Sequence, residues 1–174
     1  IIDAISHSML PGICIGFLLS GVKNPLYLML GGMATASLAV FLIGEISKRS
    51  KIKIDAAIAI TLSILFSFGV IMLNVVQNTG NPNQSGLNDF LFGKAASMLQ
   101  EDLYLFGGLC LITFITLPLF FRHFKISLFD PIFAQSIGVK RFLIQSIISF
   151  LIIITAAAGV QTVGIILISA MIIA

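Results

Sequence analysis

The stretch IIDAISHSMLPGICIGFLLSG, residues 1–21, decides how the chain is read. It is an apolar run long enough to cross a bilayer, because about 20 helical residues at 1.5 Å each span the roughly 30 Å hydrocarbon core. Two ionisable residues, Asp3 and His7, sit inside it. A charged side chain at mid-membrane costs about 2.5–3.5 kcal/mol on insertion scales, so such residues are rare and functional by default. Their spacing of four puts both on one helix face. A carboxylate beside an imidazole makes half of a site for a divalent metal. The alternative is a structural pair, bonded to each other or to a neighbouring helix. Pro11 has no amide for the carbonyl of His7, four residues back, so that carbonyl is freed to accept water, kink the helix or bind an ion. Ser6 and Ser8 can satisfy backbone groups nearby.

The rest of the chain agrees with a membrane setting. Of its 174 residues, 58% are hydrophobic and 10% charged, and the mean hydropathy is +1.11. Soluble domains carry about 25% charged residues. This much apolar surface needs lipid, so the chain is expected to be an all-α, polytopic transmembrane bundle. A net charge of +3 gives no case for nucleic acid. Cys14 and Cys110 lie in apolar runs and read as small hydrophobes. The chain opens inside an apolar segment, with neither a charged start nor a small-residue cleavage site, and VGIILISAMIIA (163–174) stops in mid-helix. It therefore reads as a piece of a longer membrane protein, truncated at both ends.

Six apolar segments can be marked, at about 1–20, 26–46, 55–77, 103–121, 142–158 and 161–174. Continuous runs, without alternation, favour helices over barrel strands. GVKNP (21–25) reads as a tight turn, Asp55 as the N-cap of the third helix, and Gly159 as the break before the sixth. Lys and Arg mark the sides. Loops 47–55 and 122–141 hold Lys48, Arg49, Lys51, Lys53, Arg122, Lys125, Lys140 and Arg141, whereas the intervening loops hold Lys23 and Lys94. Eight against two on alternating loops puts 47–55 and 122–141 in the cytoplasm. Ile1 then starts on the cytoplasmic side.

The second strong signal is SLFDPIFAQSIG (127–138). Asp130 is a good N-cap, Pro131 suits the first helical turn and Gly138 is a natural stop. A helix of about seven residues is not stable alone in water, so Ile132, Phe133 and Phe129 are expected to dock it. It lies either on the lipid headgroups or in a partner protein. FLFGKAASMLQEDL (90–103) reads as a second short helix, lying flat on the outer side. Glu45 reads as a partner for Lys48 or Arg49, and His123 as a solvated interface residue.

DAISHSMLPG (3–12), IDAAIAITLSILFSFGV (54–70), FLFGKAASM (90–98), LFDPIFAQSIG (128–138) and VGIILISAMIIA (163–174) occur in that order. Together they resemble the membrane permease subunit of zinc, manganese and iron ABC importers, over essentially the whole chain. The resemblance implies a single, partial permease domain over 1–174. It also implies a homodimer, a cytoplasmic ATP-binding subunit and an extracellular metal-binding protein as partners. Residues 129–138 resemble the coupling helix of such permeases, with Phe129, Asp130, Pro131, Ile132, Phe133 and Gly138 as the ATPase-docking residues.

The expected function is translocation of manganese or zinc, with iron as a third candidate, through the cell membrane as a multi-pass subunit of an ATP-driven importer. Asp3 and His7 contact the metal in transit. No cofactor is permanently bound; Mn²⁺ or Zn²⁺ is cargo. Without GxxxxGK[ST], the chain is not expected to hydrolyse ATP. A proton-coupled secondary metal transporter, with Asp3 and His7 as a relay, is the alternative. An intramembrane enzyme lacks a second carboxylate at depth, and a purely structural subunit leaves the Asp–His pair without a purpose.

Overall fold

The computed structural model describes residues 2–21, 24–78, 100–129 and 141–165, with single positions at 93, 134, 138, 167, 168 and 170. Every regular element among them is helical: α1 (Ile2–Ser8), α2 (Leu10–Ser20), α3 (Pro25–Arg49), α4 (Ile54–Gln77), α5 (Gln100–Phe129) and α6 (Arg141–Val163). Residues 165, 167, 168 and 170 have helical backbone and begin the sixth apolar segment. Taken together, α1 and α2 make one broken span, so five stretches are long and apolar enough to cross a membrane. The polytopic helix bundle expected from composition is present.

The ends of these helices follow their local chemistry. Gly21, at φ 63°, closes α2 and its amide donates to the Phe17 carbonyl at 2.8 Å. Asn24 caps α3 by accepting from the Leu26 amide at 3.0 Å, and Pro25 fills the first helical position. At α4 the cap is Lys53, which bonds no amide through its side chain. Asp55 lies two residues further on, in the first turn, where its charge favours the positive helix end. Glu45 bonds Arg49, Oε2 to Nε at 2.7 Å, at the end of α3.

Several boundaries differ from the expected ones. The fourth span does not stop at Phe121; α5 continues through the basic residues to Phe129. Residues 122–129 are therefore helix rather than connection, and Phe129 ends a long helix instead of opening a short one. Asp130, Pro131, Ile132 and Phe133 lie outside the described residues, whereas Gly138 has φ 80°, as a helix stop requires. The tail of the expected outer helix, from Gln100 on, belongs to α5, and most of its remainder lies outside the described residues. Gly159 is not a break. Helix α6 runs past it to Val163, and the chain turns at Gly164, whose φ of 88° excludes most side chains. Gly159 serves close packing instead, because a Cβ there would collide with Ile168.

The broken first span is the centre of the bundle. It has the lowest mean hydropathy of the five spans, 1.5, and the largest buried share, 67%. Helix α2 packs chiefly on α3 and α4, and α1 on α4, α3 and α6, while α5 leans on α6. The core runs through Ile5, Met9, Leu10, Ile13, Cys14 and Phe17, met by Leu28, Ala36, Leu73, Val76 and Val160. Gly12 makes this packing possible. A Cβ on Gly12 would strike the Gly31 carbonyl, a Cβ on Gly31 would strike the Gly12 carbonyl, and one on Gly16 would sit 2.8 Å from the Tyr27 carbonyl. In lipid no hydrophobic drive joins helices, so backbone approach through small residues supplies the dispersion contact.

Gly12→Val is therefore expected to force α2 off α3, a misfit of about 1–3 kcal/mol or more. Gly44→Ala, where an added Cβ meets nothing within 4 Å, is expected to gain about 0.5–1 kcal/mol from backbone entropy. Melting of the two variants in detergent checks this; equal melting temperatures would refute the close-approach argument.

Candidate metal-transit site

The pair lies on α1, ahead of the break. Asp3 and His7 are one turn apart, and His7 Nε2 lies 3.4 Å from Asp3 Oδ1. That is long for an N–H···O hydrogen bond, whose mode is about 2.9–3.0 Å. It is the separation of two donors on one ion: metal–ligand distances of roughly 2.1 Å at a tetrahedral angle place the donors about 3.4 Å apart. The side chains of His7 and Asp3 are 22% and 41% exposed, on the face of α1 that the described residues leave uncovered. The structure thus brings the two sequence-predicted residues together on one face.

The surroundings hold the imidazole in place. Phe66, on α4, meets the His7 ring edge-to-face with centroids 5.1 Å apart. His7 Nδ1 is buried and has no hydrogen-bond partner among the described residues. When Nε2 takes an ion, Nδ1 carries the proton, and metal-bound histidines usually donate that proton to an outer group. Here the ring is oriented by aromatic contact. Sequence reasoning missed Phe66, since a Phe among the many apolar residues of α4 gives no signal of which ring it touches.

Pro11 has its expected consequence. The helix is interrupted at Met9, whose amide bonds the Ser6 carbonyl three residues back, at 3.3 Å, in place of the regular bond four back. The prolyl ring packs where Gly69 of α4 leaves room, since a Cβ on Gly69 would press on Leu10 and Pro11 at 2.8 Å. Ser6 Oγ donates to the Ile2 carbonyl at 3.1 Å, and Ser8 Oγ donates to the Ala4 carbonyl. Both hydroxyls therefore remain in their own helix and leave the open face to Asp3 and His7.

No third His, Cys, Asp or Glu joins the pair among the described residues. Cys14 and Cys110 are free thiols, the first buried and the second exposed. Cys14 lies against the Gly69 carbonyl, Sγ 4.0 Å from the oxygen, and is a packing residue. His123 is exposed on α5, with its ring tilted against Phe120 at 6.3 Å. Of the docking residues read from the sequence, Phe129 is 83% exposed at the end of α5, and Gly138 is exposed. Ala134 between them is buried and helical.

The chain as a whole is similar to known proteins. The manganese transport system membrane protein MntC of Bacillus subtilis is 39% identical over 171 residues, covering 98% of this chain and 39% of its own length. The zinc transport system membrane protein TroC of Treponema pallidum is 35% identical, covering 97% of this chain and 57% of its own. A solved structure, PsaBC from Streptococcus pneumoniae in complex with Fab, superposes with a TM-score of 0.80 at 29% identity, over 98% of this chain and 58% of that one. The chain thus spans about two-fifths to three-fifths of the length of these relatives. The sequence profile of the ABC 3 transport family matches residues 1–174, and the chain belongs to that family.

Proposed function

We propose that this chain is part of the transmembrane subunit of an ATP-driven importer for manganese or zinc, with Asp3 and His7 as transient ligands of the ion. The observation that carries the reading is the 3.4 Å separation of His7 Nε2 and Asp3 Oδ1 on the most buried span of the bundle. Carboxylate and imidazole suit Mn²⁺ and Zn²⁺, and a site without thiolate disfavours soft Cu(I). The relatives named for manganese and zinc transport support the same cargo. Membership of an ABC family favours ATP-driven transport over the proton-coupled alternative.

A bare divalent ion cannot cross hydrocarbon without compensating ligands. Two ligands per subunit make an incomplete shell, and a second copy of the permease across a symmetry axis brings the number to four. In this reading the pair exchanges water ligands for protein ligands and back again, and the broken helix gives its two halves room to shift. Half-exposed side chains fit a site that must also release its ion.

Energy comes from a separate cytoplasmic ATP-binding subunit, because the chain carries no phosphate-binding loop. We assign the docking to 129–138, through Phe129, Asp130, Pro131, Ile132, Phe133 and Gly138. Helix α5 continues as one helix through Pro118 to Phe129, which supports a direct connection from the docking segment to the bundle. ATP-driven closure of two partner subunits would then switch the helices between outward and inward states. The charge asymmetry supports a cytoplasmic position for 47–55 and 122–141, with the metal-binding protein delivering from outside.

Three outcomes follow for the full-length protein in cells. Asp3→Ala and His7→Ala are each expected to lower Mn²⁺ or Zn²⁺ accumulation at least tenfold, the order of a lost metal-site contact, at unchanged expression; normal accumulation in both would sink the ligand role. Phe133→Asp is expected to abolish co-purification of the ATP-binding subunit, and retention of that subunit would show the docking segment to be misassigned. Uptake should survive collapse of the proton gradient while ATP is maintained; loss of uptake under those conditions would restore the secondary-transporter reading.

A further inference from the structure

Two buried side-chain atoms have no hydrogen-bond partner among the described residues: His7 Nδ1, already discussed, and Gln161 Oε1. Gln161 lies near the end of α6 and is 5% exposed. Buried polar atoms are bonded in the great majority of cases, so an orphan acceptor in an apolar bundle calls for an explanation. Gln161 lines a cavity of about 10 Å³, shared with Met9, Ile13, Met29 and Gly32. The cavity therefore joins α6 and α3 to the central helix at the residue where that helix breaks. Its size is about that of one water probe sphere. At the same place the Met9 amide has left the regular ladder for a 3.3 Å bond to Ser6.

We propose that Gln161 anchors a single buried water at the break between α1 and α2, and that this makes it a positioning residue for Asp3 and His7. A water has two O–H groups: one donates to Gln161 Oε1 and the other to a backbone acceptor of the interrupted turn, while a lone pair accepts in return. Water inserted into the ladder is, with proline, a recognised partner of such an interruption, and here it would sit beside the turn that Pro11 loosens. A metal ion does not suit the cavity, because one neutral amide oxygen among thioether and alkyl groups cannot compensate a double charge. Held this way, the break keeps a set angle, and the His7 ring keeps its register against Phe66. The positioning role rests on the transport reading above; the water site does not.

The test uses the full-length permease assembled with its partner subunits. An experimental structure that shows ordered waters is expected to place one about 2.7–3.2 Å from Gln161 Oε1, beside Met9; a protein group bonded to Oε1 in its place overturns the site. Gln161→Met keeps the side-chain length but removes the acceptor. It is expected to raise the half-saturating Mn²⁺ or Zn²⁺ concentration for uptake on the order of fivefold, with the maximal rate and melting temperature near those of the parent. An unchanged half-saturating concentration overturns the positioning role, as does a drop in melting temperature that accounts for the whole loss of uptake. Normal uptake by Asp3→Ala and His7→Ala would remove the transport reading and leave the water to be decided by the structure.

Discussion

Gly12 and Gly31 lie against each other backbone to backbone, and the bundle is organised around that contact. It brings α3 close enough to enclose α2, and Gly69 does the same for α4 against Leu10 and Pro11. A helix enclosed in this way need not be wholly apolar, because its neighbours shield it from lipid. The least hydropathic span is accordingly the most buried one. Asp3 and His7 are tolerated for the same reason: they occupy a helix that faces protein on most sides and opens on one.

The break at Met9 is the second constraint, and it has a covalent cause. Pro11 removes one amide from the ladder, and the turn before it relaxes to a bond three residues back. The two halves are then packed separately, α2 mainly on α3 and α4, and α1 on α4, α3 and α6. Under the proposed function, a joint of this kind would let one half turn and carry Asp3 and His7 with it without unpacking the other. Phe66 against His7 and Gln161 beside Met9 both act within a turn of this joint.

The outer parts of the molecule obey a looser rule. Helix α5 exposes Tyr104, Phe114, Leu119 and Phe121, and its hydropathic window contains no buried residue. Among the described residues it packs chiefly on α6, so its apolar residues meet fewer neighbours than those of α1 and α2. Its length was misjudged for a related reason. Basic residues at 122–125 end the apolar run, not the helix, and α5 carries them out to Phe129.

Much of this was legible in the order of residues. Hydropathy set the spans, Pro11 set the joint, and the spacing of Asp3 and His7 set them on one face, because each depends only on helical period and on what lipid tolerates. Asp130 and Pro131 ahead of Gly138 signal a short helix in the sequence, but residues 130–133 lie outside the described residues. Other features were decided by tertiary structure alone. The closeness of Gly12 to Gly31, the Phe66 ring against His7 and the placing of Gln161 beside Met9 all join residues far apart in the chain, and the course of α6 past Gly159 is likewise set by packing. Such contacts depend on which helix faces which, and in a membrane local periodicity does not encode that choice, because lipid accepts any apolar face and only packing distinguishes them.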